Sequence, residues 1–398
     1  MSISSKTVDC CQKRIAMTES MTLTELPFID LRAQRRRIEA EINTAVARVI
    51  EHGQYIMGPE VEQLENRLSE FVGAAHCLSC SSGSDALLMA LMAYDVKPGD
   101  AIITTPFTFF ATAEMISLLG ATPIFVDIDP ETYNLDPVKL KWAVDVSNRD
   151  ASLNLRGIVT VDLFGLPCDY DEIMAIAHEH DLFVIQDAAQ SFGATYKSAR
   201  VPTQGDIGTT SFFPAKPLGC YGDGGAVFTN DAKLAEKMAS IRVHGKGTDK
   251  YSNVRIGLNA RMDTIQAAIL LEKIKIYADE ISRRQIVADT YVDHLADTNL
   301  QLPIVPEERR SVWAQFTLQS GKRQEIQTAL KSEGIPTAVY YIKPLHLLAA
   351  YDSLGYQRGD LPVAEAASER VVSLPFHPYL ASEQIKRICT AVRAAAKN

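Results

Sequence analysis

The chain has 398 residues, of which 46% are hydrophobic and 22% are charged, a composition typical of folded globular proteins. This length exceeds what one hydrophobic core usually serves, so we expect two domains. The formal net charge of −9 argues against a nucleic-acid partner, because nucleic acids are bound by basic surfaces. A small anion is not excluded, since a few local donors suffice to hold it.

Residues 1–25 are predicted to be a flexible N-terminal extension, because MSISSKTVDCCQKRIAMTES lacks the apolar core of a signal peptide. No apolar run reaches the ~18 residues that span a bilayer, so no membrane partner is expected. The seven cysteines are scattered, which indicates no disulfide framework and favours the cytoplasm. Cys77 and Cys80 form a C-x-x-C without a second pair; we interpret this run as a buried strand and predict no metal site.

Short apolar runs alternate with helix-like segments between about residues 75 and 230. Predicted strands include AIITT (101–105), TPIFVDI (122–128), GIVTVDLFG (157–165) and LFVIQD (182–187). Because these runs are continuously apolar and are separated by helices, the pattern predicts an α/β fold with a buried, mostly parallel sheet. Asp169 stands at the N-cap position of the helix that follows the third of these strands.

The pattern changes after residue 262. Apolar residues recur at spacings of three and four over residues 263–297, much longer than an average helix. Beyond this helix, residues 311–319 alternate like a strand, and residues 322–334 and the C-terminal tail have helical patterns. The sequence therefore predicts a large domain over 26–262, followed by a linking helix and a smaller α+β domain over 263–398.

Polar residues follow several predicted strands, where open α/β sheets bind their ligands. Gly83 and Ser84 stand where a strand turns into a helix. The N–H groups and dipole of such a helix start favour a phosphate, although Ser84 could equally be an N-cap. Asp187 ends an apolar strand, so its carboxylate needs a cationic partner unless it caps a helix. Gln190 lies close enough in sequence to reach the same ligand.

Lys216 has an unusual setting, in SFFPAKPLGCYGDGG (211–225). It stands between Pro214 and Pro217, in the predicted turn between two strands and shortly after Ser211. Apolar surroundings lower the pKa of a lysine from about 10.4, which supplies a neutral amine able to form a Schiff base. The alternative is a lysine whose stem is packed and whose ammonium group stays in water.

The combination of features points to one kind of site. A Schiff-base lysine, a strand-end aspartate, a phosphate-binding helix start and a nearby serine are the parts that pyridoxal 5′-phosphate (PLP) requires. Asn259 and Arg261, in IGLNARMD (256–263), are either loop fillers or anion contacts. The sequence contains no P-loop, no G-x-G-x-x-G after a strand, no G-x-S-x-G and no H-E-x-x-H.

The chain resembles the DegT/DnrJ/EryC1/StrS family of sugar-nucleotide aminotransferases from about residue 26 to the C-terminus. The resemblance is carried by FIDLRAQ, HGQYIMGPEVEQLE, SGSDALLMAL, VIQDAAQSFGA, SFFPAKPLGCYGDGGAVFTND, RVHGKG and IGLNARMDTIQAAIL. Within the family, the chain is most similar to the 3-aminotransferases of UDP-2-acetamido-2-deoxy-3-oxo-D-glucuronate. The resemblance implies a fold-type I PLP enzyme that works as a homodimer with active sites shared across the interface. Members with histidine in place of the lysine are dehydratases, and Lys216 excludes that activity here.

The resemblance also implies residue roles. Lys216 would form the Schiff base, and Asp187 would pair with the pyridinium nitrogen. The implied cofactor-binding residues are Gly83, Ser84, Phe109 (stacked on the ring), Asp187, Gln190, Ser211, Lys216 and Asn259 (from the neighbouring subunit). The implied substrate-binding residues are Arg261 of the neighbouring subunit, Tyr341 and, as a further candidate, His377. Tyr340 stands where near relatives often have histidine.

The implied reaction moves an amino group from L-glutamate to C3 of the keto-sugar nucleotide, with PLP alternating with pyridoxamine phosphate. Its product would serve surface polysaccharide synthesis of the O-antigen type. One alternative is amination at C4, or another carbon, of a UDP- or dTDP-4-keto-6-deoxy sugar. A second is a lyase or desulfurase of the same fold, for which Cys220 is the cysteine closest to Lys216 in sequence. A third is a non-enzymatic sensor or regulatory protein.

Overall fold

The computed structural model describes residues 26–149, 153–249 and 251–397; the predicted extension, residues 1–25, lies outside them. The strands are β1 His76–Cys80, β2 Asp100–Thr104, β3 Thr122–Phe125, β4 Asn154–Val161, β5 Phe183–Asp187, β6 Thr195–Tyr196, β7 Ala199–Arg200, β8 Ile207–Ser211, β9 Gly225–Thr229, β10 Arg309–Arg310, β11 Phe316–Gln319 and β12 Val371–Leu374. Seven of them form the main sheet in the order β1-β9-β8-β5-β4-β2-β3. The neighbours from β8 to β3 are parallel, and β9 runs antiparallel to β8 and β1.

Helices cover both faces of this sheet and continue into the C-terminal region. They are α1 Leu31–Arg37, α2 Glu39–His52, α3 Pro59–Val72, α4 Gly83–Ala93, α5 Ala111–Leu118, α6 Pro137–Ser147, α7 Tyr170–Glu179, α8 Ala232–Ile241, α9 Thr264–Leu295, α10 Arg323–Ser332, α11 Pro362–Arg370 and α12 Ser382–Lys397. Short 3-10 turns occupy Leu163–Gly165, Leu345–Leu347 and Ala349–Leu354. Among the helices of the described ranges, none combines the length and apolarity needed to cross a membrane.

The central strands bury apolar side chains on both faces because both faces of the sheet are covered. Along β5, Phe183 and Ile185 pack into the hydrophobic cluster that contains α4, while Val184 packs into the one that contains α6 and α7. Successive side chains of a strand point to opposite faces. A continuous apolar run is therefore the pattern of a strand buried on both sides, and the predicted mostly parallel α/β fold is confirmed.

The topology brings several strand ends to one edge of the sheet. Since β1 and β8 are both antiparallel to β9, they run in the same direction, and β5 is parallel to β8. In register, Cys80 and Ser211 both pair with Gly225, and Asp187 pairs with Thr209. The carboxyl ends of β1, β8 and β5 therefore meet at the same edge, which is where ligands of such sheets bind.

A second hydrophobic cluster forms around the C-terminal half of α9. It packs Tyr291 of that helix against Phe316 of β11, with ring centroids 4.7 Å apart, and includes residues of β12, α10 and α12. The helix predicted over 263–297 is confirmed as α9, which has 32 residues. The cluster supports the proposed smaller domain, whose boundaries remain a prediction.

One local prediction needs correction, and another gains a detail. The strand expected over 311–319 is limited to β11, because the N–H groups of Val312 and Ala314 donate to the turn that follows β4. Asp169 does occupy the N-cap position of α7, but its side chain makes no capping hydrogen bond. Instead it accepts a hydrogen bond from Arg309, because a guanidinium at this position competes with the helix N–H groups for the carboxylate.

Candidate active site

Lys216 lies in the loop between β8 and β9, as the sequence predicts. The N–H of Cys220 donates to the carbonyl of Phe212 at 2.7 Å and closes the loop, while the N–H of Lys216 donates to the carbonyl of Phe213 at 2.8 Å in a tight turn. A Cβ atom at Gly219 would lie 2.6 Å from the carbonyl oxygen of Phe213. The loop is therefore held by backbone hydrogen bonds at a close approach that glycine permits.

Lys273, a residue that was not predicted from the sequence, holds this loop through its side chain. It lies on α9, is almost fully buried, and donates a hydrogen bond from Nζ to the carbonyl of Gly219. Its Nζ also lies 4.8 Å from the centre of the Tyr221 ring. Burial lowers the pKa of Lys273 to about 8. The available signal was a lysine inside the apolar run AAILLEKIKIY of a long helix.

Asp187 is the last residue of β5 and is 6% exposed. It accepts hydrogen bonds from Thr112 Oγ1 at 2.8 Å and from the N–H of Ala189 at 3.1 Å. Burial raises its pKa, whereas these two donors and the charge of Lys216 oppose the rise. The residues after Asp187 form turns and not a helix, so helix capping does not explain this carboxylate.

Lys216 and Asp187 belong to the same electrostatic environment. The Lys216 residue is partly exposed, yet desolvation of its amine lowers its pKa, and the charge of Asp187 acts in the opposite direction. An amine in this environment is neutral at lower pH than an ordinary surface lysine. The role of Lys216 as the Schiff-base lysine remains a prediction.

Thr112, also missed from the sequence, lies near the start of α5 in TPFTFFATAE. Its Oγ1 donates to Asp187 and lies 3.1 Å from Oγ1 of Thr108, so Thr108 contacts Asp187 only through Thr112. Phe109 lies between them in sequence and is 59% exposed. Its stacking on the cofactor ring remains a prediction.

Gln190 and Tyr341 are brought together by a hydrogen bond, although 151 residues separate them. Gln190 Oε1 accepts from the N–H of Phe164 at 2.8 Å, and its Nε2 donates to the Tyr341 hydroxyl at 3.3 Å. The Tyr341 ring packs edge-on against Phe107 with centroids 6.0 Å apart. Burial raises the pKa of Tyr341. The segment after β5 is thereby tied to the loop predicted to receive the sugar nucleotide.

Gly83 and Ser211 lie in direct contact at the start of α4. A Cβ atom at Gly83 would lie 2.6 Å from Cβ of Ser211, so glycine allows the helix start to approach the end of β8. The N-cap of α4 is Ser82, whose Oγ accepts from the N–H of Asp85 at 3.0 Å; the alternative that Ser84 is the N-cap is wrong. The first-turn N–H groups of Gly83 and Ser84 lack intrahelical acceptors, as at any helix start.

Asn259 and Arg261 bond to each other, with Arg261 Nε donating to Asn259 Oδ1 at 2.9 Å. Asn259 is exposed, and the predicted contacts of both residues with a neighbouring subunit remain a proposal. His377 is 3% exposed and lines, together with Lys216, a cavity of about 20 Å³. Its predicted contact with substrate is likewise untested.

These residues fit PLP. The Gly83–Ser211 contact forms a cradle at a helix N-terminus suited to a phosphate, and the buried Asp187 has room in its hydrogen-bond shell for a cationic ring nitrogen. Cys220 does not suit a desulfurase, because it is fully buried, its Sγ donates to the Phe212 carbonyl at 3.0 Å, and burial raises its pKa.

Comparison with known proteins identifies the family. Residues 36–393 match the model of the DegT/DnrJ/EryC1/StrS aminotransferase family. The chain belongs to this family. Solved proteins of the same fold include forms with pyridoxal phosphate and with pyridoxamine phosphate. The predicted family, the aminotransferase class and the PLP cofactor are confirmed.

The chain is similar over nearly its whole length to proteins named as aminotransferases and to one named as a regulatory protein. It is 47% identical to UDP-2-acetamido-2-deoxy-3-oxo-D-glucuronate aminotransferase of Pseudomonas aeruginosa, over 92% of this chain and 99% of that one. It is 43% identical to a pleiotropic regulatory protein of Geobacillus stearothermophilus, over 90% and 95%. A solved family member from Brucella abortus is 46% identical, with a TM-score of 0.91 over 94% of this chain and 100% of that chain.

Proposed function

We propose that the protein transfers the amino group of L-glutamate to C3 of UDP-2-acetamido-2-deoxy-3-oxo-D-glucuronate, for cytoplasmic synthesis of surface polysaccharide sugars of the O-antigen type. The observation that carries the proposal is the buried Asp187 and the mutual effect of its charge and that of Lys216, in a chain that is 47% identical to a relative named for this substrate over 99% of that relative. The five described cysteines are unpaired, which supports a reducing compartment.

Lys216 is the proton carrier of the proposed reaction. Bound PLP supplies an electron sink that allows the Cα proton of an amino acid to leave. The Lys216 amine takes this proton from Cα of glutamate, and the desolvation that lowers its pKa increases the neutral fraction able to do so. In the second half of the reaction, the same group delivers a proton to the sugar carbon that receives the amine.

Other residues of the site hold the cofactor and exclude water. Asp187, kept ionised in part by Thr112 and Ala189, would pair with the ring nitrogen. Gly83, Ser84 and Ser211 would donate to the phosphate. Gln190 and Tyr341, joined at 3.3 Å, would close the side of the site next to the sugar.

We also propose that the active unit is a homodimer to which each chain supplies Asn259 and Arg261. Next to these residues, Thr264 of α9 donates its N–H to the carbonyl of Tyr55 at 2.9 Å. This contact places a run of exposed apolar side chains beside them; the run consists of Tyr55, Ile56 and Met57. Exposed apolar groups that cluster in this way mark interaction surfaces.

The substrate is tested with the purified protein, L-glutamate and a panel of keto-sugar nucleotides, with the product identified by mass spectrometry. We expect the 3-oxo-glucuronate to be aminated fastest. Faster amination of a UDP- or dTDP-4-keto-6-deoxy sugar would favour the alternative substrate class. A protein that binds PLP and aminates no member of the panel would instead match the regulatory name of its Geobacillus relative.

The shared site is tested by mixing two inactive variants, Lys216→Ala and Asn259→Ala. If each site takes Lys216 from one chain and Asn259 from the other, half of the sites in a heterodimer are intact. Random re-association then restores about a quarter of the wild-type activity. No recovery after confirmed subunit exchange would contradict the sharing of sites.

A further inference from the structure

The loop between β8 and β9, which carries Lys216, is attached to helix α9 at two points. Lys273 Nζ donates to the carbonyl of Gly219. The N–H of Tyr221 donates to Gln266 Oε1 at 2.9 Å. Gln266 and Lys273 are seven residues apart on α9, which is about two helical turns, so they lie on the same face of the helix. Two side chains of one helix face therefore hold the loop.

The attachment at Gly219 reaches the turn that contains Lys216. A Cβ atom at Gly219 would lie 2.6 Å from the carbonyl oxygens of both Phe213 and Pro214, so the Gly219 backbone packs directly on this turn. The carbonyl of Phe213 in turn accepts a hydrogen bond from the N–H of Lys216 at 2.8 Å. Fixing Gly219 therefore fixes the backbone from which the Lys216 side chain extends.

We propose that Lys273 and Gln266 are positioning residues for Lys216, because their hydrogen bonds to the loop keep the Lys216 amine in its desolvated setting. A buried ammonium group costs free energy unless nearby groups compensate for the lost water. The groups that do so for Lys273 belong to the loop: the Gly219 carbonyl and the ring of Tyr221, whose centre lies 4.8 Å from Nζ. The proposal rests on the role of Lys216 given above.

The charge of Lys273 strengthens its attachment to the loop. Burial lowers the pKa of Lys273 to about 8, while the charges of Glu280 on the same helix and of Cys220 in the loop oppose this fall. At pH 7 about nine-tenths of the Lys273 amines are therefore protonated. Hydrogen bonds from a charged donor are roughly twice as strong as those between neutral groups, so the bond to Gly219 is a strong one at neutral pH.

The test measures the pKa of Lys216 in the full chain freed of PLP. Acetic anhydride acylates neutral amines, and labelling of Lys216 is followed against pH by peptide mass spectrometry, with the exposed Lys141 as the reference for reagent reactivity. Lys273→Met fills the buried position without a donor. Release of the loop admits water to the Lys216 amine, so we expect its midpoint to rise by about one unit, equivalent to about tenfold less neutral amine at pH values below it.

Two further variants separate positioning from packing and from loss of stability. Lys273→Gln keeps an N–H donor without the charge, and we expect it to recover about half of the shift. Val287→Ala shortens a buried side chain in the hydrophobic cluster at the other end of α9, so it weakens the fold without touching the loop. We expect the wild-type midpoint for Lys216 in this control.

Three results overturn the proposal: a wild-type midpoint in folded Lys273→Met, equal shifts in Lys273→Met and Lys273→Gln, or a shift of the same size in Val287→Ala. If Lys273→Met does not fold, Gln266→Leu removes the other attachment of the loop. The Lys216 midpoint should rise there as well, and an unchanged midpoint would contradict the proposal. Because the titration uses no substrate, its failure is distinguishable from failure of the proposed sugar amination.

Discussion

Two buried aspartates at the ends of neighbouring strands have different surroundings. Asp162 follows β4 and Asp187 ends β5, and the N–H of Asp162 donates to the carbonyl of Asp187 at 3.1 Å. Burial raises the pKa of both carboxyls. Asp162 accepts hydrogen bonds from four neutral groups at 2.7–3.0 Å: the N–H of Cys168, the Tyr170 hydroxyl, Gln186 Nε2 and Ser191 Oγ.

Asp187 accepts hydrogen bonds from two groups, Thr112 Oγ1 and the N–H of Ala189, and the charge that acts on it is that of Lys216. A carboxylate has about four acceptor positions. Donors of the protein occupy the acceptor positions of Asp162, which therefore acts as a structural group that connects β4, β5 and the turn at Ser191. Asp187 accepts fewer hydrogen bonds from the described residues, and this difference supports the proposed role of Asp187 in binding the cofactor.

Lys216→Ala is expected to have the largest effect, because it removes the group that carries the proton. General acid–base transfer contributes about 10²–10⁴-fold to a rate, and loss of the covalent link to the cofactor adds to this, so turnover should fall by at least that factor. The measurement is the formation of 2-oxoglutarate from L-glutamate, alongside the visible spectrum of the bound cofactor.

The matched control is Lys197→Ala, a change at an exposed lysine that pairs with Asp171. Wild-type turnover is expected there. Turnover retained in Lys216→Ala would show that Lys216 does not carry the proton. The proposed difference in role between Asp187 and Asp162 would then lose its support.

The sequence predicts those features of the site that depend on local patterns. Asp187 and Lys216 were found because a charged residue directly after an apolar strand, or between two prolines in a turn, stands out in the chain. The parallel sheet followed from continuous apolar runs. The position of Gln190 shortly after Asp187 also singled it out, and the family resemblance added Tyr341. No local pattern indicates the hydrogen bond that joins these two residues across 151 positions.

What the sequence did not predict depends on contacts between distant segments. Thr112 and Lys273 act on the site through single hydrogen bonds to Asp187 and Gly219, and nothing in their local sequence names those partners. The N-cap position of Asp169 follows from the local sequence. The hydrogen bond that its carboxylate accepts from the distant Arg309 does not.

His377 extends the comparison to a third buried titratable group. Its pKa is about 4, below the ordinary value of 6.5, so above pH 6.5 it is neutral in both folded and unfolded protein. As the pH falls from 6.5 towards 4, the unfolded chain binds a proton there and the folded protein does not, so stability is lost. The full loss is about 3 kcal/mol, from about 1.4 kcal/mol for each pKa unit.

The measurement is the free energy of unfolding in urea at pH 7 and pH 4.5, for the wild-type protein and His377→Gln. The variant has no titrating group at this position, so we expect its stability to fall by about 2–3 kcal/mol less over this range. Equal losses in both proteins would mean that His377 is solvated like an ordinary surface histidine.

Asp162→Asn and Asp187→Asn test the two aspartates against each other. Asparagine at 162 leaves buried donors without acceptors, which costs about 1–3 kcal/mol of stability, while cofactor binding should be retained. Asparagine at 187 removes a buried charge that few protein donors satisfy, so stability should change little while turnover falls strongly. The measurements are the free energy of unfolding in urea and the kcat of both variants. Equal losses of stability and of turnover in the two variants would refute the distinction between the two aspartates.

Thr112→Val is expected to have the smallest effect of these substitutions, because it tests a single hydrogen bond to Asp187. Valine has nearly the shape of threonine, so the change removes one of the two hydrogen bonds to Asp187 with little effect on packing. The pKa of Asp187 then rises further, and its ionised form pairs less well with a ring nitrogen. One hydrogen bond to a carboxylate is worth about 1 kcal/mol or more, so PLP should bind about fivefold more weakly.

Thr108→Val supplies the control, because Thr108 lies 3.1 Å from Thr112 and makes no hydrogen bond with Asp187 in the described part of the chain. The Kd of PLP, titrated into each PLP-free variant, should rise more for Thr112→Val than for Thr108→Val. Equal increases would mean that the threonine pair acts as packing at the start of α5. A larger increase for Thr112→Val alone would show that the charge of Asp187 is tuned by the donors that the protein does supply.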